Sequence, residues 1–183
     1  MPTFQETIEF VKSKIGWNRK WTDDIPAYTH SIQVYEILKR EWFPEYVQMA
    51  WLLHDIVEDG GVSFKELFDM WYSNDVIHLV DLATHDVSMQ WDNENFLRWE
   101  KLINRLVEEN NIDAWAVKLA DFSDNMTMAH YMSSDRFERF LLKKAPIFIY
   151  YWNKYFAWTW MYDEFLANYF DQIQKLHNYD YVF

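Results

Sequence analysis

Three glycines and four prolines in 183 residues constrain this chain more than any other feature. Strands joined by tight turns need residues that tolerate positive φ or carry a preset φ, and here there are few. The apolar spacing points the same way. Phe4, Ile8, Val11 and Ile15 share one stripe of a 3.6-residue period, which predicts a helix over about 4–15. WNRKWTDDIPAYT reads as a loop, with Pro26 near the start of a helix that carries His30, Ile32, Val34, Ile37 and Leu38 and gives way before Pro44. From about Glu45 to Val57, Val47, Ala50, Trp51, His54 and Val57 recur at helical spacing, and Gly60 with Gly61 supplies a stop. Ser63 followed by Glu66 has the pattern of a capping box, and 75–82 reads as helical. THDVSMQWDNEN reads as a polar loop near the pocket or acting as its lid. Helices are expected over 96–109 and 113 to about 132, a capped start at Ser134, Asp135 and Glu138, and one long final helix in the aromatic tail from Pro146. No repeat, low-complexity tract or linker interrupts the pattern. The expectation is an all-α single domain over 1–183, a helical bundle of seven to ten helices. Its motif-bearing core spans about 19–132 and its aromatic-rich C-terminal extension about 134–183.

Composition closes off several function classes. Half the residues are hydrophobic and a fifth aromatic, enough to bury a large core, so wholesale disorder is excluded. Seventeen Lys and Arg stand against 29 acids, a formal net charge of −12, which argues against a nucleic-acid surface. A small phosphorylated ligand stays compatible, because a pocket can be locally positive. With no cysteine there are no disulfides and no thiolate zinc sites. MPTFQETIEF lacks the basic and apolar regions of a signal peptide, and no stretch approaches the roughly 20 apolar residues that span a bilayer. The chain is therefore expected to be soluble and cytoplasmic, without a membrane partner.

The run HDIVED, 54–59, carries the chemistry. His54 and Asp55 are metal-ligand types, and Glu58 and Asp59 follow one helical turn later as an acid pair able to move protons. His30 upstream and Asp121 downstream complete a set of two imidazoles and two carboxylates, which suits a hydrolytic divalent transition metal. Water attacks a phosphoester slowly because it is a poor nucleophile and the ester oxygens repel it. A divalent ion answers both problems, and a neighbouring carboxylate takes the proton.

A second motif, VKLADFSDNM, places Asp121, Asp124 and Asn125 on one helical face, with Lys118 a turn earlier. In order, HSIQV, HDIVED and KLADFSDN make the chain resemble the HD-domain phosphohydrolases, and within them the alarmone hydrolases of the RelA/SpoT type. The resemblance runs from about Arg19 to Asn125. It implies that His30, His54, Asp55 and Asp121 hold one metal ion, manganese in that family, and that Glu58 and Asp59 position and deprotonate the attacking water. It also implies that Asn125 hydrogen-bonds the nucleotide and that Arg19 and Lys20 pack on the base and meet phosphate. Lys118 and His85 join them as substrate-binding candidates. Three departures fall on the phosphate contacts. Arg19 lies about two residues further from His30 than the family pattern, His85 replaces a Lys at the end of DLATHD, and Phe122 and Asp124 stand where Arg and His are usual.

The resemblance thus implies removal of the 3′-pyrophosphate from guanosine tetra- or pentaphosphate. Two alternatives stay open: another nucleotide phosphohydrolase, acting on NADPH or deoxynucleotides, and an antitoxin-like or host-modulating interaction protein on the same scaffold. A homo-oligomer is compatible with the sequence, and the aromatic C-terminal region is the candidate surface for a protein partner. Arg136, Arg139, Lys143 and Lys144 form a dense basic cluster, read as a solvated helix face ahead of a phosphate contact. His78, His130 and His177 are read as plain surface or core histidines.

Overall fold

The computed structural model describes residues 1–20, 22–86 and 95–179. Ten α-helices lie among them: α1 Phe4–Lys14, α2 Tyr28–Arg40, α3 Glu45–Leu53, α4 Phe64–Asp69, α5 Asn74–Ala83, α6 Asn95–Glu109, α7 Ile112–Thr127, α8 Ser134–Arg139, α9 Ala145–Phe156 and α10 Trp160–Tyr179. The fold is all-α. The chain divides into two compact units, Met1–Val117 and Lys118–Phe183, with the division inside α7. Most of the THDVSMQWDNEN segment, 87–94, and the side chain of His177 lie outside the described residues.

In the first unit the helix starts are written locally. Thr3 and Glu6 form a capping box on α1, the Glu6 carboxylate accepting from the Thr3 N–H at 2.8 Å. Ser63 and Glu66 repeat the device on α4. These bonds satisfy N–H groups that the first turn leaves unpaired, each cap stabilising by roughly 1 kcal/mol. Helix α3 is the centre. Val47 and 49–53 are buried all round it, and α1, α2 and α5 pack against it. A helix apolar on every side can only sit inside a core. Helix α6 is amphipathic, with Trp99, Leu102, Ile103 and Leu106 buried and Lys101 exposed.

The second unit is built on aromatic packing. Phe122 lies 4.3 Å from Phe148, which stacks on Trp152 at 4.6 Å, and Trp152 meets Phe165 edge-on at 5.1 Å. This explains one departure from the family pattern: Phe122 is a core residue of this aromatic cluster. The tail expected as one helix is two. Thr159 interrupts it, its hydroxyl donating to the Phe156 carbonyl at 2.9 Å and accepting from the Tyr162 N–H at 3.2 Å. A hydroxyl that offers the backbone local bonds competes with helix continuation. The capped start at 134 also differs, since Ser133 is the N-cap and no side-chain cap bond forms there. A π turn, Phe140–Lys144, leads into α9, whose Pro146 lacks an N–H to give the preceding turn.

The basic cluster is not uniformly solvated. Arg139 and Lys143 are exposed, while Lys144 is largely withdrawn from water. Burial first, and then the positive charges of Arg136, Lys118 and Arg139, push the Lys144 ammonium down to about 8, with Asp121 opposing. Between about pH 8 and the ordinary 10.5 the folded chain holds fewer protons here than the unfolded chain. Stability from this group therefore rises with pH across that window. Lys144→Met is expected to raise Tm at pH 7 by roughly 2–4 °C, the worth of about 1 kcal/mol at this size. The gain narrows as pH climbs above 8. A lower Tm at pH 7 would mean that the ammonium is net stabilising.

Candidate active site

The HDIVED run does not continue α3. The helix ends at Leu53, and the chain closes into tight turns in which the N–H of His54 donates to Trp51 at 3.3 Å and that of Ile56 to Leu53 at 2.9 Å. The expected helix to Val57 is thus cut short, and the turns lead into two glycines. A Cβ on Gly60 would stand 2.6 Å from the Ile56 carbonyl oxygen, and Gly61 has φ +64°. Only glycine permits that close approach and that conformation together. The His54 backbone is still helical, φ −57° and ψ −36°, and its Nε2 meets the Asp55 Oδ1 at 3.0 Å.

His54 is 1% exposed and stacks on the Trp51 indole at 4.3 Å. Its Nδ1 lies 2.8 Å from the Trp51 carbonyl, which can only accept, so Nδ1 carries a proton and Nε2 is the nitrogen turned toward Asp55. That Nε2 is buried and makes no hydrogen bond. It stands 3.0 Å from a carboxylate oxygen, two ligand-type atoms placed to share one cation. His30 belongs to the same group: its Nε2 is 3.6 Å from Asp55 Oδ2, and a ring nitrogen of each imidazole lies within 4.8 Å of the other. Two imidazoles and one carboxylate thus converge, with His54 oriented by the Trp51 carbonyl as a metal-ligating histidine usually is by its other nitrogen. The residues fit a divalent metal.

The acid pair sits beside this group. Glu58 Oε1 accepts from the His85 backbone N–H at 2.6 Å, so the main chain of His85 aims it. Asp59 pairs with Lys20 at 3.7 Å. Burial first, then the negative Asp55, push the Asp59 carboxyl above its ordinary range, with Lys20 and His54 opposing. Arg19 is buried in the loop before α2, its guanidinium 3.4 Å from His30 Nδ1. An isolated bridge between Asn18 and Pro26 and the bond from the Arg19 N–H to Ile25 hold that loop. The structure seats the Arg19 guanidinium against the His30 imidazole.

The KLAD residues belong to the second unit. Along α7, Lys118 pairs with Asp121 at 2.7 Å, and the Asn125 amide donates to the other Asp121 oxygen at 2.5 Å. Both carboxylate oxygens are oriented by neighbours one turn away on the same helix. Asp124 is buried. Sequence reasoning missed one contributor, Arg105, which holds the end of α5 through the Leu82 and Thr84 carbonyls. No local motif marks it, because its targets lie more than 20 residues away.

An all-helical unit with an adjacent His–Asp pair, a second histidine and a flanking acid pair is the arrangement of the HD-domain phosphohydrolases. No family profile matches the chain. Among curated proteins, it is 32% identical over 126 residues to the guanosine-3′,5′-bis(diphosphate) 3′-pyrophosphohydrolase MESH1 of Drosophila melanogaster, covering 67% of each chain. A GTP pyrophosphokinase of Myxococcus xanthus is 27% identical over 129 residues, 67% of this chain and 17% of that one. Among solved structures, a metazoan orthologue of SpoT that hydrolyses ppGpp superposes with TM-score 0.77 at 25% identity, over 96% of this chain and 98% of the other. A Listeria monocytogenes protein shares the fold, with TM-score 0.61 at 22% identity over 82% of this chain and 99% of that one. The chain belongs to the family of HD-domain guanosine-3′,5′-bis(diphosphate) 3′-pyrophosphohydrolases.

Proposed function

We propose that this protein removes the 3′-pyrophosphate from guanosine-3′,5′-bis(diphosphate), and that His30, His54, Asp55 and Asp121 hold the one divalent ion it uses, manganese. The single observation that supports this best is His54: a proton fixed on Nδ1 and a buried, unpartnered Nε2 turned toward the Asp55 carboxylate. A histidine in the interior normally finds partners for both nitrogens. Asp121 enters on the KLAD motif, and its two oriented oxygens suit a ligand.

When bound, the ion supplies charge neutralisation at the phosphoryl group and acidifies a water. The remaining work falls to side chains. Glu58, aimed by the His85 N–H, orients the attacking water. Asp59 takes its proton, since a carboxyl held above its ordinary range is a better proton acceptor than a solvated one. The substrate carries several negative charges and the chain is itself acidic, so a few local cations must bind it. We assign that task to Arg19, Lys20, Lys118 and His85, with Asn125 giving a directional hydrogen bond. The Lys20–Asp59 pair is half open to solvent and worth little, which leaves Lys20 able to turn to phosphate.

The test is a nucleotide panel with manganese: guanosine tetraphosphate, NADPH and deoxynucleoside triphosphates, with products resolved. Pyrophosphate from guanosine tetraphosphate is the expected result. Cleavage of another nucleotide with none from guanosine tetraphosphate would leave only the broader phosphohydrolase reading.

A further inference from the structure

We propose that Arg105 is a positioning residue for the reaction: by gripping the peptide between Thr84 and His85 it aims Glu58. The inference rests on the reading that Glu58 handles the attacking water. Helix α5 ends at Ala83, and the last carbonyls of a helix have no partner within it. Arg105, on α6, donates to two carbonyls there, Leu82 O at 3.3 Å and Thr84 O, and pairs with Asp81 at 3.6 Å. A rigid guanidinium fork suits several acceptors at once, where an ammonium would meet one.

The decisive point is covalent. Thr84 O and the His85 N–H belong to one planar peptide unit, so they point in opposite directions from it. Arg105 holds the oxygen; the N–H on the other side donates to Glu58 Oε1 at 2.6 Å. Fixing the oxygen fixes the direction of the N–H, and a positive charge on the oxygen strengthens the bond the N–H donates. The Thr84 side chain braces the same unit, its hydroxyl donating to Val80 O at 2.6 Å. Without Arg105 this peptide is free to rotate, and Glu58 loses the donor that sets its angle. Arg105 acts on the site through the Thr84–His85 peptide, so its effect on kcat passes through Glu58, while any shift of the His85 side chain is read separately in KM.

That route makes the test a double-mutant cycle, read with manganese on guanosine tetraphosphate. Arg105→Ala is expected to lower kcat about 10–100-fold, the scale of a misplaced catalytic group. The kcat loss should exceed any change in KM, which reports the His85 side chain, and metal content should not change. In a Glu58→Gln background the same substitution should change kcat less than about twofold, because the carboxylate that the peptide aims is gone. Arg105→Lys, which keeps the charge with a single donor head, runs in parallel as the milder variant and should show the same background dependence. A cavity of about 340 Å³ lined by Thr84, His85 and Arg105 gives access for guanidinium ion, so millimolar guanidinium should restore part of the kcat lost in Arg105→Ala. Equal losses in both backgrounds, or an unchanged kcat, overturn the proposal. A wild-type rate in Glu58→Gln alone is a separate result: it sinks the Glu58 reading itself, whatever Arg105 does.

Discussion

His54→Ala yields a chain that binds no divalent metal and releases no pyrophosphate. The effect is expected to be complete because the substitution removes a ligand whose geometry nothing else can restore. The imidazole is held by its stack on Trp51 and by the Trp51 carbonyl, and its Nε2 is the buried, unpartnered atom of the group. Truncating a buried ring also costs stability, so Asp55→Asn is the companion variant. It keeps the shape and replaces a charged ligand with a neutral amide, a poor one for a hard divalent ion. Asp121→Asn should behave alike under the proposed ligand set. Metal analysis of the purified variants is the first measurement and turnover the second. Treating wild type with a chelator should reproduce the loss of turnover. It should also lower Tm, since an ion at about 100 times its Kd stabilises the folded state by about 2.7 kcal/mol. Normal metal occupancy in both His54→Ala and Asp55→Asn would remove the centre from this place.

Glu58→Gln and Asp59→Asn retain the metal and lose about 10²–10⁴-fold in rate, the usual worth of a positioned general base. Each replacement is nearly isosteric, so the His85 N–H still finds an oxygen and Lys20 still finds a polar partner. What disappears is the carboxylate charge: Asp59 can no longer take the proton, and Glu58 accepts from the water more weakly. The two losses need not be equal. Burial and the neighbouring Asp55 hold the Asp59 carboxyl above its ordinary range, so its carboxylate is the stronger base. Glu58 is fixed by a short backbone bond and is the better orienter. Turnover in manganese-loaded protein, with metal content measured on the same sample, separates this from a ligand defect. Wild-type rates in both variants would leave the pair as a solvated chain end.

The helical class was legible because it is written in local terms: apolar residues at period 3.6, capping boxes at Thr3 and Ser63, few glycines. The candidate ligands and acids were legible because a metal site needs particular donor types, and those types stand in a recognisable order along the chain. Boundaries were harder. Val57 falls on the apolar stripe of α3, yet the helix stops at Leu53, where three-residue turn bonds at His54 and Ile56 take over from the helical ladder. Thr159 divides the tail through two bonds of its hydroxyl, which apolar spacing cannot register.

By itself, then, the sequence determined which atoms were on offer: two imidazoles, the carboxylates, the cations and the helices that carry them. Only the tertiary structure decided how they face one another. It turned His54 and Asp55 toward one point, laid Arg19 on His30, and brought the His85 peptide to Glu58 and Arg105 to that peptide. The physical reason is range. Periodicity, caps and motif order are set within a turn or two of chain. The Glu58–His85 and Arg105–Thr84 contacts span 27 and 21 residues, and only the packing of α5 against α3 and α6 brings such separations within hydrogen-bond distance.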